Sequence, residues 1–364
     1  MEFVFQFAIT NAIKMEVSFV RQSLTLLNMK ATIRDVAKAA GVSPSTVSRV
    51  LTKSAYVAEE KQEKVLEAID KLNFQPNVVA RSLRLKTSRI IGLLIPDITN
   101  PFFPEIAKGI EDAAHKNGYN IMLCNTENDV KKEMNYVELL KGRQADGLII
   151  AKAGEELDHL KDTIRSGIPI SFIDRPVNLD EADQIVSNNH LGMKMAVEKL
   201  YATGHRKIGL VAGPKHLRVA DERFQGFRAG MLAQNLAINE KWIFNEVFSV
   251  SGGRSAGLKL LEMPAHPTAM ICSSDVLAIG FIDSLFEAGF SVPEYMSVIG
   301  FDDINFTKYL KPKLTTIRQA KYEMGAKALE LLLKRIKSKE ESPEKIVLDV
   351  ALEDRETVAK PRKK

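Results

Sequence analysis

From Ile90 onward, short apolar runs take turns with amphipathic stretches, and few folds accommodate that order. IIGLLIPD (90–97), NIMLCN (120–125), ADGLIIA (145–151), IPISFID (168–174), KIGLVAG (207–213), TAMICSS (268–274) and MSVIGFDD (296–303) read as strands, with helix-forming segments between them. Near-continuous apolar runs suit strands buried on both faces, and strand–helix alternation points to parallel sheets covered by helices on both sides. The C-terminal three quarters of the chain are therefore expected to be α/β.

Length and composition set the outer limits. A chain of 364 residues, 45% hydrophobic and 27% charged, can bury the cores of two or three domains. Its two cysteines, Cys124 and Cys272, each lie inside an apolar run, which argues against a disulfide framework or a cysteine metal site and for a reducing, cytoplasmic setting. The apolar stretch Phe3 to Ile9 has no preceding Lys or Arg and no small-residue cleavage site, unlike a secretory signal. Residues 1–28 are expected to be a disordered extension or a mis-called start. No apolar run has the roughly 18 residues that a spanning helix needs.

Charge is unevenly distributed. Between Met29 and Ile90 there are twelve Lys or Arg against six acids, a net +6 within a chain whose total is +5. A basic head on a near-neutral body suggests that the head binds a phosphate backbone, because each neutralised phosphate releases counterions.

Within the head, Thr32 can cap a helix in which Asp35 sits at the positive end of the dipole and Ile33, Val36, Ala37 and Ala40 share one face. Gly41 can close that helix in the left-handed conformation, and Ser43-Pro44 supplies a cap and first-turn proline for the next. In this second helix Val47, Val50 and Leu51 are expected to face inward, leaving Pro44, Ser45, Ser48 and Arg49 outward. That is the geometry of a recognition helix in a major groove, with Arg49 suited to guanine and the serines to bases or phosphates. A third helix from about Glu59 to Leu72, with Val65, Ile69 and Leu72 inward, would complete the core.

The run ATIRDVAKAAGVSPSTVSRVL, followed by YVAEEKQEKVLEAIDKLNFQPNVVARSL, resembles the DNA-binding head of the lactose-repressor (LacI/GalR) family almost throughout. The resemblance implies a helix-turn-helix domain over 29–75, contacting DNA through Thr32, Arg34, Ser43, Pro44, Ser45, Ser48 and Arg49. It also implies a hinge over 76–89, with Asn77 as cap and Ala80, Leu83 and Arg84 at the DNA. There Leu83 would wedge into the minor groove, since an isolated helix this short is unstable until DNA supports it.

For residues 90–358 the same resemblance implies a body like periplasmic sugar-binding proteins, with two lobes joined by three crossovers and a ligand cleft between them. One lobe would hold about 90–187 and 319–341, the other about 188–318 and 342–358, before a basic tail at 359–364. Ligands of open α/β sheets bind beyond the carboxyl ends of the strands, where Asp97, Asp174-Arg175 and Asp275 fall. By resemblance, Arg223 and Asp275 would be effector ligands, and Phe102, Phe103, Asp174, Arg175, Asn189 and Phe248 would line the cleft. Arg and Asp can bracket the hydroxyls of a sugar or sugar derivative while an aromatic face covers its apolar side. Trp242, the sole tryptophan, is expected near the cleft.

The sequence has no Gly-x-Ser-x-Gly elbow, no Walker loop and no zinc-spaced His pair, so an enzyme is not expected. Neither a cofactor nor a membrane partner is expected. The expected protein is a homodimeric transcription regulator, more often a repressor than an activator, acting on near-palindromic double-stranded operator DNA. A carbohydrate-utilisation operon is the expected target. The alternatives are a purine-controlled regulator, one controlled by a protein co-regulator, and a sugar receptor without DNA function.

Overall fold

The computed structural model describes residues 31–52, 55–74, 87–338 and 342–362. The chain divides into two compact units, residues 1–86 and 87–364. The expected extension and the hinge residues Asn77, Ala80, Leu83 and Arg84 lie outside the described residues.

The described residues of the first unit form three helices, α1 (Ile33–Ala40), α2 (Pro44–Thr52) and α3 (Glu59–Lys71). Local chemistry sets their ends. Thr32 and Asp35 form a reciprocal capping box, in which the Thr32 N–H donates to the Asp35 carboxylate over 2.8 Å. Gly41 ends α1 at φ +63°, a conformation that costs glycine little. The Ser43 hydroxyl accepts from the Thr46 N–H over 3.2 Å at the start of α2. Val36, Ala37, Ala40, Val47, Val65, Ala68 and Phe74 form the core, with Val50, Leu51, Ile69 and Leu72 at its margin.

The second unit contains two six-stranded sheets. In chain order its elements are β1 (Ile90–Ile95), α4 (Phe102–Lys116), β2 (Asn120–Asn125), α5 (Val130–Gly142), β3 (Gly147–Ile150), α6 (Asp158–Arg165), β4 (Ile170–Ile173) and β5 (Asp183–Ser187). Then come α7 (Asn189–Thr203), β6 (Ile208–Ala212), α8 (Arg218–Ala233), β7 (Ile243–Asn245), α9 (Val250–Leu261), β8 (Ala269–Cys272) and α10 (Asp275–Glu287). The last are β9 (Ser297–Asp302), β10 (Thr315–Gln319), α11 (Lys321–Lys337), β11 (Lys345–Leu348) and β12 (Val350–Glu353).

The sheet orders are β11-β5-β4-β3-β1-β2 and β12-β10-β9-β8-β6-β7. All pairings are parallel except β10 with β12. The chain passes between sheets at Asn188, Ala320 and Asp349. One expected boundary is thereby corrected: Lys345–Leu348 pairs in parallel with β5 and belongs to the first lobe. This short strand carries little pattern, and its register with Asp183–Ser187 decides its sheet. At the start of the expected basic tail, the Ala359 carbonyl accepts from His205 Nε2 over 2.9 Å.

In each sheet the order reverses beside the first strand of its lobe, between β1 and β3 and between β6 and β8. Such switch points open a crevice at the carboxyl ends of the strands. Ile304 and Val276, from the second lobe, pack into the core built on Ile91, Leu93 and Ile106 of the first. The described residues include no helix long and apolar enough to cross a membrane.

Candidate functional site

On the head, Thr32, Arg34, Ser43, Pro44, Ser45 and Arg49 are exposed. Ser48 is not: it is 8% exposed, which corrects the expectation that it points outward. It directly follows the buried Val47 on α2. The outward face of α2 is therefore Pro44, Ser45 and Arg49, with Arg34 and Lys38 exposed on α1. Exposed guanidinium and ammonium groups suit phosphate and base edges.

In the body, a cavity of about 260 Å³ lies between the lobes. Its walls come from the carboxyl ends of strands in both sheets: Pro96 and Asp97 beyond β1, Asp174 and Arg175 beyond β4, Ser274 beyond β8 and Asp302 at the end of β9. Phe102 and Phe103 open α4, edge to face with centroids 5.1 Å apart, and form an apolar wall. Leu217, Val219 and Phe248 supply another from the second lobe.

Polar groups cluster on the cavity floor. Arg223 is 3% exposed; its Nε donates to Asn189 Oδ1 over 2.9 Å and its Nη1 to the Ser273 carbonyl. The guanidinium stands 4.0 Å over the Phe301 ring, and its Nη2 lies 3.5 Å from Asp302 Oδ1. These contacts hold one rotamer of a long side chain before any ligand arrives. Arg175 donates from Nη1 to the Lys152 carbonyl over 2.7 Å, while its buried Nε has no partner among the described residues.

Asp174 takes φ +61° just beyond β4, and its carboxylate has no hydrogen bond among the described residues. Burial pushes its pKa up, against the pull of Arg223 and Arg175. Asp302 Oδ1 accepts from Gln319 Nε2 over 2.7 Å. Burial pushes the Asp302 pKa up to about 6, with Arg223 opposing and Asp174 adding to the rise.

Of the expected effector residues, Phe102, Phe103, Asp174, Arg175, Arg223 and Phe248 line this cavity. Asn189 stands behind it, between Arg223 and Glu222, and positions the guanidinium. Asp275 is corrected more substantially. It is fully buried, accepts from the Ile304 N–H over 2.8 Å and from the Thr316 hydroxyl, and is absent from the cavity wall. Gly300 leaves room for it, since a Cβ there would meet the Asp275 carboxylate. Burial drives its pKa well above the usual carboxylate range, reinforced by the nearby Asp302 charge.

The acidic group that reaches the cavity from this part of the second lobe is Asp302, which sequence reasoning passed over. Its signal was an acid at the end of an apolar strand, as at Asp97 and Asp174. Trp242 is also corrected: it is core, donating from Nε1 to the Ala265 carbonyl over 3.1 Å, and does not line the cavity.

Residues 32–77 match the family described as bacterial regulatory proteins, lacI family, and residues 197–358 match a periplasmic binding protein-like domain. Curated relatives include the HTH-type transcriptional repressor PurR of Actinobacillus pleuropneumoniae serotype 5b, 39% identical over 84% of this chain and 91% of the relative. PurR of Vibrio vulnificus is 38% identical over 91% of this chain and 99% of its own length. Among solved structures, a LacI family transcriptional regulator from Enterococcus faecium with bound ribose is 33% identical, with a TM-score of 0.69, over 75% of this chain and all of that one. The lac repressor dimer bound to operator and the anti-inducer ONPF is 28% identical, with a TM-score of 0.81, over 91% of this chain and all of the other.

Proposed function

The chain belongs to the lacI family of bacterial regulatory proteins, a DNA-binding regulator by that membership, and we propose that it represses transcription under control of a small, neutral, hydroxyl-rich effector such as a sugar. The observation that carries the effector class is the pairing of donors and acceptors on the cavity floor. Arg175 adjoins Asp174, and Arg223 lies 3.5 Å from Asp302. A hydroxyl both accepts and donates, so each Arg–Asp pair can hold one or two of them. The flanking phenylalanines can cover the apolar face of a ring.

A purine effector is the second reading, and the PurR relatives favour it. A flat base would use the same aromatic walls, and a base edge that carries an acceptor beside an N–H donor could also engage an Arg–Asp pair. Thermal unfolding of the purified full chain against pentoses, hexoses, sugar phosphates and free purine bases tests both readings. A ligand at 100 times its dissociation constant adds about 2.7 kcal/mol. Stabilisation by sugars alone supports the first reading; stabilisation by bases alone replaces it with the second.

On DNA, two copies of the chain would pair and present two heads to the half-sites of a near-palindromic operator, because two-fold protein symmetry asks for two-fold DNA symmetry. Arg49 would read bases from the major groove. Asn77, Ala80, Leu83 and Arg84 would form the DNA-dependent hinge, with Leu83 as wedge. Effector binding would change the arrangement of the lobes and thereby the spacing of the hinges. Loss of operator bending in Leu83→Ala, with the fold intact, is the expected result; unchanged bending would discard the wedge.

A further inference from the structure

Lys321 breaks two local preferences at once. It is the first residue of α11, where the helix dipole disfavours a positive charge, and its side chain is 3% exposed. Burying an ammonium is costly unless every proton finds a partner. Its partners come from both lobes. Nζ donates to the carbonyls of Asp302 and Asp303 over 2.7 and 2.8 Å, and lies 3.5 Å from Glu105 Oε2.

These partners all adjoin the cavity. Asp302 lines it and belongs to the second lobe's β9. Asp302 and Asp303 both have positive φ, +119° and +54°, so the chain bends sharply where it offers two successive carbonyls to one ammonium. Glu105 sits on the first lobe's α4, two residues beyond the cavity-lining Phe103. Lys321 itself directly follows the interlobe crossing at Ala320, and Gln319, just before the crossing, holds the Asp302 side chain.

We infer that Lys321 is a positioning residue that couples the effector cavity to the arrangement of the lobes: it ties the backbone of Asp302 in the second lobe to Glu105 beside the first lobe's aromatic wall. A ligand that draws on Asp302 moves two carbonyls held by Lys321, and the ammonium transmits that movement to α4. The inference deepens the proposed effector control and rests on the cavity being the effector site. Buried polar residues that violate local rules concentrate at functional positions, where their cost is offset by specificity of arrangement.

The test is hydrogen exchange by mass spectrometry on the full chain, as wild type, Lys321→Met, Glu105→Gln and the double variant, without ligand and with D-ribose. Glu105 is partly exposed, so Glu105→Gln keeps the experiment interpretable if Lys321→Met fails to fold. Without ligand, Glu105→Gln in the first lobe is expected to speed exchange of the second-lobe segment 303–307 about fivefold or more, the lower range of allosteric coupling. In the double variant the two effects should not add. Exchange altered only around residue 105, with 303–307 at the wild-type rate, overturns the coupling role. D-ribose should slow both segments together in wild type and separately in Lys321→Met. If D-ribose leaves wild type unchanged, D-ribose is not the effector, while the ligand-free comparison still decides the role of Lys321.

Discussion

Arg223 and Asp302 face each other across the cavity floor with Nη2 3.5 Å from Oδ1, both side chains at most 5% exposed. The separation is longer than a direct hydrogen bond and short enough for one ligand oxygen to engage both groups. Asp302→Asn should therefore weaken effector binding by about 1.5–3 kcal/mol, the range for hydrogen bonds to charged groups. Calorimetric titration with whichever compound stabilises the wild type checks this, and unchanged affinity would remove Asp302 from the site.

The same carboxylate is expected to make effector binding depend on pH. Its pKa in the folded chain is about 6, above the ordinary 3.8, because burial disfavours the charge. A folded-state acid raised in this way binds more protons than the unfolded chain between roughly pH 4 and 6, so its contribution to stability declines as pH rises through that window, by at most about 1.4 kcal/mol per unit. Effector affinity should run the other way, falling as the pH is lowered through 6 and the acceptor is lost. Asp302→Asn should flatten the affinity profile; a wild-type profile flat from pH 5 to 7 would contradict the assignment.

Asp275 is expected to act on stability. Removing its carboxylate in Asp275→Ala leaves the Ile304 N–H and Thr316 hydroxyl without a buried acceptor, a loss of about 2–4 kcal/mol. The fluorescence of the buried Trp242 during urea unfolding reads this directly. The folded fraction should keep effector affinity within a few-fold of wild type.

On the head, Arg49→Ala should relax base specificity at one position of each half-site at a cost of about 1–3 kcal/mol, whereas Ser48→Ala should leave sequence preference intact. Comparative binding to a randomised operator library separates the two. Equal losses on specific and random DNA for Arg49→Ala would move that residue to the phosphate backbone.

What was legible in the sequence depended on how local the signal was. Thr32–Asp35, Gly41 and Ser43-Pro44 each act within one turn of chain, and their helix ends appear in the structure as read. The seven strongly apolar runs all became strands. The polar strands Asp183–Ser187 and Thr315–Gln319 carry no apolar run, because their burial comes from neighbouring strands and helices, and Ile243–Asn245 is only three residues long. The exchange of Asp275 for Asp302 has the same origin. Both follow or end an apolar strand, and only the packing of Thr316 and Ile304 over one of them decides which faces the cavity. Ser48 went astray because a one-residue step around a short helix separates exposed from covered.

The most direct test of effector-controlled DNA binding starts by selecting a high-affinity DNA site from a random pool with the full chain, then titrating that site with and without saturating D-ribose. The account predicts a near-palindromic site, an affinity change of roughly 5 to 150-fold on adding the sugar, and loss of that change in Asp302→Asn. A selected site whose affinity is the same with D-ribose and with every other sugar that stabilises the wild type would contradict it.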